Sequence, residues 1–309
     1  LSVVLHIISA DAVIGPVAVD DVLTLDNPSR RHFVIAGDGM LNEQQRTLLG
    51  DRLLAVRGPP ASLGWRDVRA LDDMQRTVRD LARRYGRVVV HAHGARARGL
   101  SSLLANVTVV VDDGDELDAH RLLPTPMRTV YASHGDLDRA LERGFAPRSA
   151  SLVPPGIDTA PTIPSLDHVV LAFDVAGPHV GRALARARLT VTSSMVPQQT
   201  CSARLLVCGP ETRLGPGILT ALASGVRCLG IGAVWAEDVS ACAAFVPRTV
   251  LDLEELVMLA LSSKRARSRR MPRALGRQAR TAALTEVYDS VGGPEAVLKP
   301  RPLRRRPRR

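Results

Sequence analysis

The chain has 309 residues, enough for two domains of ordinary size, and an apolar fraction of 45% that supports real cores. Aromatic residues make up only 3%, which argues against a lectin-like module and against stacking of single-stranded nucleic acid. The formal charge is +10, but the terminal KPRPLRRRPRR holds one Lys and six Arg, so the basicity is largely a property of the tail.

The N-terminal SVVLHII is a continuous apolar run of the kind that suits a parallel strand buried on both faces. It has no basic leader, and His6 and Asp11 interrupt its apolar stretch, so it reads as a first core strand rather than a signal peptide. A turn at Gly15 and a weak helix from Val17 to Leu25 follow. HFVIAGDG is a second strand, Asn42 to Leu54 a polar-faced helix, and LLAVRGPP a third strand. Trp65 to Gly86 is the clearest helix, with Val68, Leu71, Met74, Val78 and Leu81 recurring at three or four. RVVVHAHG and NVTVVVDDG are strands. MRTVYASHGDLDRALERGF gives a strand and a helix, and SASLVPPGID a short strand into a turn.

Four prolines between Pro154 and Pro164 mark a hinge. Beyond it, DHVVLAFD, RLTVTSS, SARLLVCGP and VRCLGIG read as strands, and Val180 to Ala187, ILTALASG and Leu253 to Leu261 as helices. Lys264 to Tyr288 reads as a long basic helical region lying on the surface. Strand and helix alternate throughout, which predicts an α/β chain with parallel sheets. The expected division is residues 1–155, residues 156–290, and a disordered basic tail over 291–309.

Cys201, Cys208, Cys228 and Cys242 form no CxxC pair and read as buried thiols of a reducing compartment. No run reaches the roughly 18 apolar residues of a membrane span. The tail leaves three fates open: solvated, on an anionic membrane surface, or on nucleic acid.

Ligands of parallel α/β sheets sit beyond the carboxyl ends of strands. His91 and His93 leave one strand two residues apart and point the same way, with Gly94 beside them. Either a proton-handling pair or one packed and one capping His fits that pattern. No third ligand is spaced nearby, so no metal is expected. In ETRLGPGILTALASG, Gly215 and Gly217 free amides at a helix start that attracts an anion such as a pyrophosphate.

The ordered set HAHG, TVYASHGDLDRAL, SLVPPGID and GPGILTALASGV resembles the family 4 type of GT-B glycosyltransferases over most of the chain from Ser2 to Val291. The family's V-P-N-G-[IV]-D turn reads here Val153, Pro154, Pro155, Gly156, Ile157, Asp158, after a strand ending at Ser133. Its E-G-F-G-L-x-x-L-E-A-[ML]-A-S-G-x-P-V signature falls on TRLGPGILTALASGVRC. RMPRALGRQARTAALTEVYDSV is similar to the closing helices that cross back over the first domain.

The resemblance implies a fold of two Rossmann-like parallel-sheet domains, the second shortened. It implies a retaining transfer in the cleft between them, with no cofactor or metal beyond a nucleotide-sugar co-substrate. The acceptor, on the N-terminal side, is unnamed by the sequence, and the basic tail points toward a lipid-linked one. A cytoplasmic place, peripheral to a membrane, is the matching expectation. The resemblance assigns His93 and Glu211 to catalysis and Gly15, Thr212, Gly215, Gly217 and Thr220 to the donor, with His91 packed beneath. It also shows departures. Thr212 and Thr220 stand where the family has Glu, Leu214 replaces Phe, and no basic residue follows VVLAFD before Arg182. Three readings follow: a diverged transferase, a catalytically silent GT-B-like binding or scaffold protein, and another doubly wound α/β protein.

Overall fold

The computed structural model describes residues 2–9, 15–59, 65–112, 127–142, 150–157, 168–172, 190–192, 197–209, 212–231, 233, 235, 238–239, 262 and 275–292. Glu211, Cys242, the helices expected at Val180 to Ala187 and Leu253 to Leu261, and the basic tail lie outside these residues. The first sheet holds β1 (Ser2–Ile8), β2 (Arg30–Ala36), β3 (Arg87–His93), β4 (Thr108–Asp112), β5 (Met127–Tyr131) and β6 (Ala150–Leu152). Their order is β2-β1-β3-β4-β5-β6, and every pairing is parallel. The second sheet holds β7 (His168–Ala172), β8 (Thr190–Thr192), β9 (Leu205–Cys208) and β10 (Arg227–Gly230), in the order β10-β9-β7-β8, again all parallel.

Helices cover both faces of the first sheet, which is why its strands are apolar on both sides. On one face α3 (Trp65–Tyr85) buries Ala70, Met74, Val78 and Leu81 against Val3, Leu5, Ile7, Val88, Val90 and Val109. On the other, α1 (Gly15–Leu25) packs Ala18, Val19 and Val22 on Ile8 and Val34. Beside α1 lies the C-terminal helix, Arg277–Gly292, with Leu284, Val287, Tyr288 and Val291 on Val4, Val89, Val110 and Val130. That helix belongs to a stretch whose composition suggested a surface position and whose resemblance to the closing helices implied a return over the first domain. From Arg277 onward it is a docked element, as the resemblance implied, because its apolar residues share one face.

Two further differences from the sequence reading have local causes. LLAVRGPP is not a strand. Gly50–Arg52 is a single 3₁₀ turn, Leu53 makes one isolated bridge to Val34, and the chain at Gly58 then passes directly over the Ala36 carbonyl. The polar-faced helix narrows to α2 (Glu43–Leu49), started by a capping box between Asn42 and Gln45. Among the described residues the remaining helices named here are α4 (Ala95–Ser101), α5 (His134–Glu142), α6 (Pro197–Ser202) and α7 (Pro216–Ala223); the C-terminal helix is α8. The sequence reading missed α4 and α6.

Candidate functional site at the facing strand ends

In the first sheet the chain runs from β1 outward to β2, then returns to the other side of β1 as β3. Strand order therefore reverses between β1 and β3. In the second sheet it reverses between β7 and β9. Crevices beyond the carboxyl ends of strands at such reversals are where doubly wound sheets hold ligands.

The two carboxyl ends meet. Ala132, just past β5, packs on the core of the second sheet. The His134 ring nitrogen Nδ1 lies 2.6 Å from an Asp238 carboxylate oxygen, and the His134 amide donates to the same oxygen. Asp238 belongs to the segment beyond β10. Ser133 starts α5: its hydroxyl accepts from the Asp136 amide at 3.1 Å and donates to the Asp136 carboxylate at 2.5 Å. Burial raises the Asp136 carboxyl above its usual range, and the Ser133 hydrogen bond opposes that shift only in part.

At the β1–β3 reversal, Gly15 is the first residue of α1 and Gly94 forms the turn into α4 at φ +94°. A glycine suits that left-handed conformation. The Ser9 amide and hydroxyl both donate to the His93 carbonyl, at 3.0 Å each, and the hydroxyl accepts from the Ala97 amide. This clamp fixes the turn.

The His93 ring itself points into the sheet face. It is fully buried, with Nε2 3.0 Å from Nδ1 of His6. His6 Nε2 is in turn 3.0 Å from Nδ1 of His32. His91, also fully buried, has Nδ1 2.7 Å from the Tyr288 hydroxyl of α8. Four histidines from three adjacent strands thus form one polar layer beneath α8. A third metal-type ligand does stand beside His91 and His93, contrary to the expectation from spacing. His6 pairs in register with His91, although 85 residues separate them in sequence. His32 is driven down to about 3, chiefly by burial. Beside it, Asp26 accepts from the His32 amide, Arg31 and Arg52. Burial alone would raise the Asp26 carboxyl, but these donors outweigh it and hold it below its usual range.

At the β7–β9 reversal, β9 runs out through a loop into α7. Gly215 is the N-cap in extended conformation, with no side chain to occupy the first-turn amides, and Pro216 is the first helical residue. The amides of Gly217 and Ile218 therefore have no intrahelical acceptor. Thr212 is buried in the preceding loop, and its carbonyl accepts from the Trp235 indole at 2.7 Å. Gly217 is buried within α7, where its carbonyl accepts from Thr200 at 3.0 Å, and Thr220 is half-buried on the same helix. Gly215, Gly217, Thr212 and Thr220 thus gather at one helix start. Gly15 and His93 stand at the other strand reversal.

No family model matches the sequence, and no curated protein matches it. Solved structures do. The Anabaena protein HepE, in complex with UDP, is 12% identical and superposes with a TM-score of 0.59, covering 94% of this chain and 99% of that one. A glycosyltransferase from Rickettsia africae is 9% identical with a TM-score of 0.62, covering 95% and 99%. A putative UDP-N-acetylglucosamine 2-epimerase from Listeria monocytogenes is 9% identical with a TM-score of 0.56, covering 96% and 98%. These likenesses run over nearly whole chains and show a GT-B fold.

Proposed function

We propose that this GT-B chain transfers a sugar, with retention, from a nucleoside-diphosphate donor to an acceptor hydroxyl. The observation that carries the reading is a strand-order reversal in each of two parallel sheets, the second beside the uncapped start of α7, with the chain past β5 packed on the core of the second sheet. The diphosphate sits on the Gly217 and Ile218 amides, where the helix dipole favours negative charge. Thr220 hydrogen-bonds the ribose, and Thr212 orders the loop in front. Glu211 is the carboxylate that stands in for the signature acids. Gly15 meets the donor from the opposite sheet. His93, with its ring spent on His6, acts by positioning the Gly94 turn. Fold likeness to HepE, solved with UDP and with UDP-glucose, supports a uridine donor.

A second reading, nucleotide binding without transfer, is favoured by the burial of both Thr212 and the His93 ring. Incubation with a panel of nucleoside-diphosphate sugars separates the two. Release of free nucleotide with one donor supports transfer; binding without release supports the silent reading. Interconversion of donor epimers would instead align the chain with the epimerases that share its fold.

The tail from Lys299 to Arg309 contributes peripheral attraction to anionic lipid, about 1 kcal/mol per basic residue near the surface and screened by salt. That contact matches a lipid-linked acceptor and a cytoplasmic place beside a membrane. Among the described residues no helix is long and apolar enough to span one. Removing the tail should weaken co-sedimentation with anionic vesicles at low salt and leave the unfolding midpoint unchanged. Equal sedimentation with and without it would remove the membrane from the account.

A further inference from the structure

We propose that His6, His91 and His93 form a tris-imidazole site for one borderline divalent transition-metal ion of the zinc class. This goes beyond glycosyl transfer and does not rest on it. Each residue offers one ring nitrogen, and the three nitrogens lie within 4.8 Å of one another. All three side chains are fully buried. Two of those rings, His6 and His93, already stand with nitrogens 3.0 Å apart. A tetrahedral ion with metal–nitrogen bonds of about 2.0–2.1 Å sets its ligand nitrogens about 3.3 Å apart. The pair is thus at ligand spacing, and ring rotation of about 1.5 Å at most gathers the third.

The chemistry of the set selects the ion. Imidazole nitrogens suit zinc, nickel, cobalt and copper, whereas magnesium and calcium require oxygen ligands. Three neutral rings leave the fourth position to water or hydroxide. The surroundings supply outer partners that hold such ligands in place. With the ion on Nδ1 of His6, its Nε2–H donates to Nδ1 of His32, whose own proton then sits on Nε2. That Nε2 is a buried nitrogen with no hydrogen-bond partner. Tyr288 fixes the His91 ring from α8. The ligands stand on β1 and β3, adjacent central strands with helices over both faces, so their backbone is rigid. Binding replaces the hydrogen bond between His6 and His93; the His6 proton moves to Nε2 and that of His32 to its own Nε2, so the rings stay neutral with no net loss of protons.

The test uses the full chain, stripped with chelator and titrated with Co(II). The site predicts one equivalent bound, visible ligand-field bands of four-coordinate cobalt, and displacement by Zn(II) but not by Mg(II) or Ca(II). His6→Gln and His93→Gln should each weaken binding by about 100-fold or more, and His32→Gln, which removes only an outer partner, by about 10-fold. Should a ligand variant fail to fold, the parent protein still decides the matter. Its Co(II) form should show three hyperfine-shifted imidazole N–H protons. Absence of stoichiometric uptake, fewer than three such protons, or unchanged uptake in folded His6→Gln would overturn the site and leave a metal-free histidine network.

Discussion

At Gly156 the chain, crossing between the sheets, lies tight against α8. A Cβ there would lie 2.7 Å from the Arg277 Cα and 2.9 Å from the Arg280 Cβ. The nearer obstacle is backbone, so Gly156→Ala should cost about 1–3 kcal/mol in urea unfolding, the usual range for overpacking. An unchanged midpoint would mean that α8 does not press on this turn. A second residue-scale prediction concerns acid. In the unfolded chain His32 takes a proton near pH 6.5, but in the fold only near 3. The unfolded state therefore binds more protons between those values, and stability falls as pH drops through that window. From pH 6.5 to 5 the metal-free protein should lose about 1–2 kcal/mol through this group. Asp136, raised by burial, works in the opposite sense, so the comparison is with His32→Gln, whose profile should be flatter by that amount. Parallel profiles for the two proteins would contradict the buried neutral imidazole. These residues also show what could be read from sequence. His91 and His93 were visible because two-residue spacing on one strand puts them on one face. His6 and His32 were not, because what joins them is register between strands far apart in the chain.

At the scale of elements, the docking of α8 rests on one buried ion pair as well as on its apolar face. The Arg280 guanidinium donates to both carboxylate oxygens of Asp21 in α1, the shortest contact being 2.7 Å, and both side chains are over nine-tenths buried. It also reaches the Val153 and Pro154 carbonyls at 3.4 Å. Removing one partner strands the other charge. Arg280→Met should therefore destabilise by about 3–5 kcal/mol, whereas Arg280→Met with Asp21→Leu should recover most of that loss. Additive losses in that cycle would show the pair to be uncoupled. The strands were legible because a parallel strand covered on both faces must be an apolar run, and few other elements look like one. In the residue pattern alone the docked face of α8 was hidden by Thr285, Glu286, Asp289 and Ser290, interspersed among Leu284, Val287, Tyr288 and Val291; only the resemblance pointed to a helix returning over the first domain. α4 was hidden because ARARGLS carries a helix-weakening glycine at Gly99, and α6 because six residues give too little periodicity to read.

At the scale of the whole molecule, alternation of strand and helix predicted parallel sheets, and the resemblance predicted their GT-B arrangement. Neither could show that the strand order reverses next to β1 and next to β9, since that depends on which side of β1 the third strand chooses. The reversal in the second sheet lies beside the loop that leads from β9 into a helix start, α7, and the central claim is that a nucleoside diphosphate binds there. Gly215 allows a clean test. Its extended backbone suits any residue, and a Cβ would find its nearest neighbour 3.9 Å away. Gly215→Asp places a good N-cap on α7, so folding should be retained or slightly improved. The same carboxylate would occupy the first-turn amides and repel an anion. Calorimetric titration of UDP into the parent and into Gly215→Asp is the most direct measurement. The account predicts saturable binding to the parent, with a dissociation constant of about 1 mM or tighter, and at least a tenfold loss in a variant whose unfolding midpoint has not fallen. No heat at millimolar UDP, or equal binding to both proteins, would contradict it.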